Sequence, residues 1–478
     1  MTLQKYRLSR FAKSFCKDGI VALYHSLLIE VVYLQDRVFS TAQELLQRQA
    51  SLEELRQGLA SYAGADQLVR ALVEKSLIVP IEFSEQRQLE EIRDPFISAR
   101  DLSIMYLLLT DDCNLRCRYC FLDSPERAEK VTVIPPQKMS LQIARAAIDT
   151  FVRLTARYGD PDQERFIQLY GGEPTLNWAV LQAAVEYVSD LLDARLLPEK
   201  TSVVLITNGT LITPQRARFL AEHEVSVGVS IDGDQLVTDA YRIDIHGKGV
   251  YSRVRKCIAL LRDAGVQVGL SCTLTPEALA RFDEILDHLV NEIGVPEGLG
   301  FNMLHFSPTV PVSTGYYERA ADCLIRAYTL FRQRGIYEER MMRKSLSFVN
   351  KELLFADCGV AGNQIVVAPD GSIGVCQDFV KPRKYFSGSV LDLSYDPYKE
   401  ANFKEWKNRS PLCMPECFDC SALAVCGGGC GASAELQYGS KWQVDKRVCP
   451  HSLRTLEWMI WDLFENLAVQ SPQTNQAS

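Results

Sequence analysis

Between residues 100 and 340, short apolar runs alternate with segments in which apolar residues recur every three or four positions. A short apolar run bounded by turn residues is typical of a buried strand, and the longer spacing is typical of a helix with one buried face. Six successive strand–helix units predict an α/β fold whose parallel sheet curves into a partial (β/α)6 barrel, with ligands at the carboxyl ends of the strands. The predicted strands cover 104–109, 166–169, 203–206, 225–231, 266–274 and 299–304, and the predicted helices cover 140–159, 177–194, 214–224, 251–265 and 278–293.

Residues 1–95 predict a small module of strands and helices. Two β-rich runs, 20–23 and 28–34, precede two amphipathic helices, and Ser51 with Glu54 forms a capping box at the start of the first helix. This order suggests a winged-helix-like shape without a clear third strand. Its helices lack a basic face, which argues against DNA binding. We expect the module to capture an extended peptide along a strand edge, with a structural lid as the alternative.

The C-terminal part of the chain has a different character. From 350 to 455 the helical pattern fades and Cys, Gly and Pro become frequent, as expected of loops held together by metal. An amphipathic pattern at 452–467 predicts a helix that packs back on the body. Residues 468–478 predict a disordered tail.

Composition and charge narrow the classes of partner. The chain has 478 residues, of which 47% are hydrophobic, enough for several folded units with full cores. A net charge of -8 gives no electrostatic reason to expect nucleic acid or an anionic membrane as the partner. The chain shows neither a run long enough to span a bilayer nor a signal peptide, so we predict a cytoplasmic protein without a membrane partner.

Fifteen cysteines in such a chain point to metal binding or catalysis, because a reducing compartment disfavours disulfides. They form two groups, which predict two separate sulfur-rich regions. We expect the four that lie outside the groups to be buried small apolar residues. One group contains Cys113, Cys117 and Cys120; the other contains Cys358, Cys376, Cys413, Cys417, Cys420, Cys426, Cys430 and Cys449; the scattered four are Cys16, Cys257, Cys272 and Cys323.

The first cysteine group directly follows the first barrel strand, so three thiolates share one loop at a strand end. Three ligands from one loop suit an iron–sulfur cube whose fourth iron stays open for a substrate or cofactor. A structural zinc ion would need a fourth Cys or His close by, and none follows.

This C-x3-C-x2-C spacing, with Tyr119 before the last cysteine, resembles the signature of the radical S-adenosylmethionine (SAM) superfamily, whose core is a TIM-like barrel. Four later segments resemble further motifs of that family, in the same order along the chain. By this resemblance the segment 171–174 contacts the methionine amino group of SAM, and the segments 207–209 and 230–233 line the SAM pocket. In the fourth segment Arg242 pairs with the SAM carboxylate. Asp239 is a candidate catalytic residue, as are the three cysteines. The segments are Gly171, Gly172, Glu173 and Pro174; Thr207, Asn208 and Gly209; Ser230, Ile231, Asp232 and Gly233; and Asp239 to Arg242.

The second cysteine group resembles the SPASM domain, a C-terminal extension of radical SAM enzymes that holds two auxiliary 4Fe-4S clusters. The resemblance implies three ligands for the first cluster and four for the second. Some relatives place a further cysteine shortly after the first one, but Cys358 is followed by GVAGNQ. The first cluster therefore has an open iron or takes Cys413 as its fourth ligand. The implied sets are Cys358, Cys376 and Cys430, and Cys417, Cys420, Cys426 and Cys449.

The resemblance implies an enzyme that cleaves SAM by one electron and uses the 5′-deoxyadenosyl radical to abstract hydrogen from a precursor peptide made by the ribosome. The general impression is of maturases for peptides with Nif-eleven-type leaders, some of which excise a tyramine unit from a Tyr-Gly site and leave an α-keto-β-amide. Thioether or carbon–carbon crosslinking, epimerisation and sulfatase-maturase-like oxidation remain open. An electron donor such as flavodoxin or ferredoxin is implied, and a small leader-binding helper is an option. A cluster or zinc scaffold without catalysis is disfavoured, because a scaffold needs no SAM pocket.

Overall fold

The computed structural model describes residues 4–120, 122, 135–160, 162–295, 297–304 and 310–470, with side chains to 467. Its N-terminal module contains an antiparallel sheet in the order β2-β3-β4 and a two-stranded pair of β1 with β5. Three helices lie between β4 and β5 in the chain, and a fourth follows β5. The bounds are β1 (Tyr6–Leu8), β2 (Ala12–Lys17), β3 (Ile20–His25), β4 (Glu30–Gln35), α1 (Asp36–Gln47), α2 (Leu52–Gly58), α3 (Ala65–Glu74), β5 (Ile78–Pro80) and α4 (Glu85–Ser98).

The module contains more elements than predicted, and the pair of β1 with β5 is one of them. It has a third sheet strand, β2, which pairs with β3 over its whole length, so the expectation of only two β-rich runs was wrong. Helices α1 and α4 were also not predicted. Gln35, which precedes α1, gives its helix no side-chain cap, so the sequence carries no start signal there. The capping box of Ser51 and Glu54 is present at α2.

Strand β3 is apolar on both faces, and this decides where the module lies. Val21 and Leu23 pack against the module's own helices. Ala22 and Tyr24 alternate with them and pack on the opposite side against the C-terminal domain, around Phe348 and the last helix. Because neighbouring residues of a strand face opposite sides, the sheet is sandwiched between the module's helices and the cysteine-rich domain.

The six predicted barrel strands are confirmed. They are all parallel and lie side by side in chain order, and at the β6 edge the sheet continues with parallel β12 and antiparallel β13 and β14. The bounds are β6 (Ile104–Thr110), β7 (Arg165–Gly171), β8 (Thr201–Thr207), β9 (Ser226–Ser230), β10 (Val268–Leu274), β11 (Gly298–Met303), β12 (Gln364–Val367), β13 (Ser372–Gly374) and β14 (Phe386–Ser389).

Helices cover the outer face of the barrel, where Ile167, Leu205 and their neighbours are buried. The segment 278–293, predicted as one helix, is broken into two short helices and a π-helical stretch, His288–Gly294. The bounds are α5 (Leu141–Tyr158), α6 (Trp178–Asp193), α7 (Pro214–Glu222), α8 (Gln235–Tyr241), α9 (Tyr251–Asp263), α10 (Pro276–Ala280), α11 (Phe282–Asp287), α12 (Tyr316–Arg334) and α13 (Glu339–Asn350).

The C-terminal domain consists mainly of turns and short helices, as predicted. Its helices are α14 (Ala401–Lys407), α15 (Leu423–Cys426), α16 (Gly431–Tyr438) and the long α17 (Val448–Gln470), which packs back on the body. Helix α17 extends three residues into the segment predicted as a disordered tail, and 471–478 lie outside the described residues. Within the part of the chain that the structure describes, no helix has the length and apolar character needed to cross a membrane.

Candidate functional site

Two glycines bring the end of β7 against the cysteine loop that follows β6. Gly171 has φ +144°, and a Cβ atom there would lie 2.1 Å from the carbonyl oxygen of Thr110. A Cβ on Gly172 would lie 2.2 Å from the carbonyl oxygen of Asp112, next to the first cysteine. The close approach that glycine permits here is thus between two strand ends. The backbone N–H groups of Gly172 and Glu173 donate to these two carbonyls, both at 2.9 Å.

The Glu173 carboxylate ties the ends of β7 and β8 together. It is fully buried and accepts hydrogen bonds from the Thr207 hydroxyl (2.7 Å) and the Asn208 backbone N–H (2.8 Å). Thr175 adds its backbone N–H (3.1 Å) and its hydroxyl (2.5 Å). Burial raises the pKa of Glu173, and these donors oppose that shift. The Glu173 carboxylate therefore already accepts four hydrogen bonds from the chain, and its contact with a methionine amino group stays a prediction.

Asn208 connects the Glu173 carboxylate and its four donors, here called the Glu173 hub, to the cysteine loop. Its side-chain amide donates to Asn114 Oδ1 (3.0 Å) and lies 3.8 Å from Cys113 Sγ. The side chain of Asn114 in turn donates to the Thr210 hydroxyl (2.9 Å). The sulfur of Cys113 also accepts the backbone N–H of Leu115 at 3.4 Å. The predicted segment 207–209 therefore positions the first cysteine of the loop.

A buried ion pair lies behind the second cysteine. Arg242 donates from Nε and one terminal nitrogen to both carboxylate oxygens of Asp232, at 2.9 and 3.0 Å. The Tyr119 hydroxyl donates to the same carboxylate, and Thr273 N–H donates to it at 3.0 Å. The charges of Arg242 and Asp232 act on Cys117 in opposite directions. Arg242 thus has a partner within the chain, and its pairing with a SAM carboxylate stays a prediction.

Asp239 has a structural contact rather than one to the cysteine loop. Its Oδ1 accepts the backbone N–H of Tyr251 at 2.8 Å, at the start of α9. Gly249 leaves the space for this carboxylate, because a Cβ there would lie 2.1 Å from Asp239 Cγ. A catalytic role for Asp239 stays a prediction. Ser230 is the last residue of β9, pairs with Ser271 and is half-buried inside the barrel.

The interior of the barrel is lined by aromatic side chains that the motifs do not include. Tyr106 on β6 and Tyr170 on β7 stand edge to face, with ring centroids 5.8 Å apart. Cys120 packs in the same apolar cluster. Both tyrosines interact electrostatically with Cys376 of the first auxiliary set. The alternation of strands β6 and β7 is the sequence signal that could have placed them in the interior.

The cysteine loop is chemically suited to a cluster. Burial raises the pKa of Cys113 to about 12 and that of Cys117 to about 11, so both thiols are protonated in the chain alone. Thiolate is the form that binds iron, so loading must release these protons and bring positive charge into the loop. The three half-buried thiols in one loop fit the three protein ligands of a 4Fe-4S cluster.

The structure brings the three predicted ligands of the first auxiliary cluster together. Cys358, Cys376 and Cys430 interact electrostatically with one another. Asp378 is buried in the same place and acts on both Cys376 and Cys430. Its position two residues after Cys376 could have suggested it from the sequence.

Cys413 has other electrostatic neighbours than these three cysteines, and its role as a fourth ligand stays a prediction. The groups that act on its thiol are Arg93 and Asp94, at the end of α4, whereas the three cysteines act on one another. The short turn Pro411–Cys413 carries it toward the N-terminal module. A spacing pattern in the sequence cannot show toward which side such a turn points.

The four predicted ligands of the second auxiliary cluster, Cys417, Cys420, Cys426 and Cys449, line one cavity. The wall between them is mostly apolar and includes Leu423 and Val448. One cavity with four thiols from three segments fits a cluster site in which every iron has a cysteine ligand. Among the described residues, no group of His, Cys, Asp and Glu is arranged to hold a single metal ion.

Charged residues that the motifs miss hold this domain in shape. Asp445 accepts the backbone N–H of Cys430 (3.0 Å) and pairs with Arg447. Arg447 also donates to the Leu304 carbonyl (2.9 Å), which joins the domain to the end of β11. Arg409 donates to the carbonyl of Gly428 (3.0 Å), in the run of three glycines at 427–429. Apart from the pair of Asp445 and Arg447, these contacts join segments that are distant in the sequence and leave no local signal.

The prediction for the scattered cysteines is confirmed for three of them. Cys257, Cys272 and Cys323 are buried. Cys257 packs against Gly209, where a Cβ would lie 2.9 Å from its sulfur. Cys16 is exposed at the end of β2, so the expectation of a buried residue was wrong there.

Residues 107–289 match the model of the Radical SAM superfamily. The chain is 21% identical over 471 residues to the radical SAM cyclopropyl synthase TigE of Paramaledivibacter caminithermalis, covering 92% of this chain and 93% of the relative. It is 26% identical over 344 residues to the serine-type anaerobic sulfatase-maturating enzyme of Klebsiella aerogenes, covering 67% and 77%.

Two solved structures share the fold. One is anSMEcpe with bound AdoMet, with a TM-score of 0.62, 19% identity, and coverage of 78% of this chain and 97% of that one. The other is Streptococcus suis SuiB bound to the precursor peptide SuiA, with a TM-score of 0.53, 13% identity, and coverage of 93% and 99%. Residues 107–289, which contain the cysteine loop, therefore form a radical SAM domain.

Proposed function

We propose that this chain, a radical SAM enzyme related to modifiers of peptides and proteins, modifies a ribosomally synthesised precursor peptide. The observation that carries the proposal is the N-terminal sheet, which packs directly on the cysteine-rich domain and leaves β2 as an outer strand. An outer strand can bind an extended peptide through backbone hydrogen bonds, whatever the side chains of that peptide are.

The surroundings of β2 support a peptide site. Cys16 and Lys17, at the end of the strand, border an open groove. Trp458 and Trp461 on α17 form its apolar wall, and Glu465 pairs with Lys17 at 2.9 Å. Aromatic walls with charged rims suit a peptide that carries both apolar and charged side chains. SuiB, whose fold is shared, was solved with its precursor peptide SuiA.

We propose three 4Fe-4S clusters and SAM as the cofactors. Cys113, Cys117 and Cys120 would hold the SAM-binding cluster, and the two auxiliary sets named above would hold the others. When bound, these groups supply one-electron cleavage of SAM and a 5′-deoxyadenosyl radical that abstracts hydrogen from a C–H bond. The chain's own residues hold the loop in place, through Asn208 and the Glu173 hub, and enclose the reaction in the barrel.

The reaction that fits this proposal includes excision of a tyramine unit from a Tyr-Gly site, and crosslinking, epimerisation and sulfatase-maturase-like oxidation are its alternatives. Mass spectrometry of a co-expressed precursor separates most of them. Excision lowers the mass by a tyramine-equivalent unit, crosslinking removes two hydrogens, and epimerisation leaves the mass unchanged. Oxidation of a single side chain in a sulfatase-derived peptide, with no change in the precursor, would favour the sulfatase-maturase alternative.

We propose a cytoplasmic enzyme that receives electrons from flavodoxin or ferredoxin. The reason for a separate leader-binding helper was the missing third strand, and β2 removes that reason. The chain alone is therefore proposed to capture its peptide.

The edge of β2 can be tested without removing the module, whose deletion would expose the apolar face that covers the cysteine-rich domain. Asp18 and Gly19 both have positive φ, as in a two-residue type I′ hairpin, so Lys17 and Ile20 form a hydrogen-bonded pair. Alternation along the strand then points the N–H of Ser14 away from β3.

Ser14→Pro should remove that outward donor and lower turnover of full-length precursor, while SAM cleavage without peptide is retained. Ser14→Ala keeps the N–H and is the matched control. Equal peptide affinity in both variants, measured by fluorescence anisotropy of a labelled leader, would refute capture along β2.

A further inference from the structure

Lys344 is a buried cation beside the second auxiliary site. It lies on α13 with 2% of its surface exposed. Its ammonium donates to the backbone carbonyls of Val425 and Cys426, both at 3.2 Å, and to the hydroxyl of Ser452 at 3.1 Å. Ser452 lines the cavity that contains the four cysteines. The cation is therefore one side chain away from that cavity.

The direction of this hydrogen-bond chain follows from its chemistry. An ammonium has three donors and no acceptor, so the Ser452 oxygen must accept from Lys344. The proton of the Ser452 hydroxyl is then available for another acceptor. Cys426 Sγ lies 3.2 Å from the Ser452 oxygen and accepts it. The chain thus runs from Lys344 through Ser452 to a sulfur that lines the cavity.

The charge of Lys344 has no carboxylate to balance it at ion-pair distance among the residues that the structure describes. Asp357, an acid that acts on Lys344, is held by Arg343 at 3.0 Å. Burying a cation without a counter-charge is costly. Four thiolates in the adjacent cavity would supply the missing negative charge, and they are present only when the site is loaded.

We propose that Lys344 is a positioning residue that stabilises, through Ser452, the reduced state of the cluster held by Cys417, Cys420, Cys426 and Cys449. This inference rests on the proposed function, since it assumes that cluster. Reduction adds one electron from an external low-potential donor, and no bond is made or broken. Hydrogen bonds to the sulfurs and nearby charge set the potential of such a centre, and a donor aimed at a sulfur favours the more negative state.

The simpler alternative is that Lys344 only caps α15, because it donates to carbonyls at the end of that helix. A capping role needs only the two carbonyl contacts and does not require the hydrogen bond from Ser452 to Cys426. Ser452→Ala distinguishes the two roles, because it keeps the ammonium and both carbonyl contacts and removes only the link to Cys426.

The experiment is an anaerobic potentiometric titration followed by electron paramagnetic resonance, with iron counted per chain. A background with Cys113, Cys117 and Cys120 changed to Ala restricts the signals to the auxiliary clusters. The variants are Lys344→Met and Ser452→Ala. The matched control is Lys407→Met, because Lys407 is also a buried lysine of the same half of the chain (6% exposed) and acts on Asp101 instead.

We expect Lys344→Met to lower the equilibrium constant for reduction of one cluster at least tenfold, which is about 59 mV for a one-electron couple. Ser452→Ala should shift it in the same direction by less, and Lys407→Met should leave it unchanged. If Lys344→Met does not retain its iron, the Ser452→Ala result decides alone.

Unchanged potentials in Ser452→Ala with full iron content would overturn the inference, as would an equal shift in Lys407→Met. A parent protein without a second auxiliary cluster, shown by its iron count, would instead refute the proposed function. The two failures are therefore distinguishable.

Discussion

The two sulfur-rich regions of this protein are held in position by different means. In the barrel, regular strands supply the supports: carbonyls of the β6 end accept from the β7 end, and Glu173 joins β7 to β8. In the C-terminal domain the four cysteines of the second auxiliary site come from short turns and from helix ends. Gly427, Gly428 and Gly429 all have positive φ, and a Cβ on Gly427 would lie 2.6 Å from a backbone nitrogen.

This difference indicates which region depends on its cluster for folding. The barrel strands lie in a large continuous core, so we expect them to stay folded without iron. The C-terminal loops have few ladder hydrogen bonds, so metal–sulfur bonds must replace them. The N-terminal module packs on the C-terminal domain, so its sheet should also lose stability when the second auxiliary cluster is removed.

The largest effect should be on activity, from the barrel site. Replacing Cys113, Cys117 and Cys120 with Ala should abolish SAM cleavage and remove about four irons of about twelve, because one of the three proposed cubane clusters is lost. The melting temperature should change little, since the strands support the loop. Product analysis, iron counting and circular dichroism check these outcomes. A large loss of helix and strand signal would contradict the independence of the barrel.

At the second auxiliary site, loss of the cluster should affect local stability as well as iron content. Replacing Cys417 and Cys420 with Ala should also remove about four irons, and should in addition increase hydrogen exchange in α15 and in β3, which packs near it. Exchange in β7 and β8 should stay protected. Mass-spectrometric hydrogen exchange at peptide resolution is the measurement. If exchange rose equally in the barrel strands, the two regions would not be independent.

The buried pair of Asp232 and Arg242 sharpens the comparison within the barrel. Arg242→Met leaves a buried carboxylate without its cation and should cost about 3 to 5 kcal/mol of stability. Asp232→Asn combined with Arg242→Met should cost less than Arg242→Met alone, because no unpaired charge remains. Urea unfolding tests both. SAM affinity of the double variant, measured by calorimetry, should fall by about 1.5 to 3 kcal/mol if Arg242 also contacts the SAM carboxylate.

The smallest effect concerns the module and its pH dependence. His25 is fully buried, and its Nδ1 accepts the backbone N–H groups of Leu27 and Leu28. Burial lowers the pKa of His25 to about 4, against 6.5 for the free side chain. The unfolded state therefore binds the proton first as the pH falls below 6.5, and stability is lost toward pH 4.

Between pH 7.5 and 5 this titration should cost about 2 kcal/mol, measured as hydrogen exchange of β3 and β4. His25→Asn keeps an acceptor near the position of Nδ1 and cannot take up the proton. Its exchange should depend less on pH than that of the parent. Equal pH dependence in both proteins would assign the effect to other groups.

Much of the barrel could be predicted from the sequence, because its signals are local. Each of the six strands carries its own apolar run, and the spacing of Cys113, Cys117 and Cys120 places three thiols in one loop. Strand β2 escaped prediction because AKSFCK, at an outer edge, needs few apolar residues. Helix α1 escaped because no cap marks its start.

Only the tertiary structure decided how distant residues are paired. It placed Cys413 beside Arg93 and Asp94, gave Glu173 its donors from two strands, and set Lys344 behind Ser452 and Cys426. The sequence determined which residues could form strands and which could bind sulfur-liganded iron, because backbone periodicity and ligand chemistry are properties of short segments. Burial and hydrogen-bond partners depend instead on segments that meet only when the chain has folded, so no local pattern contains them.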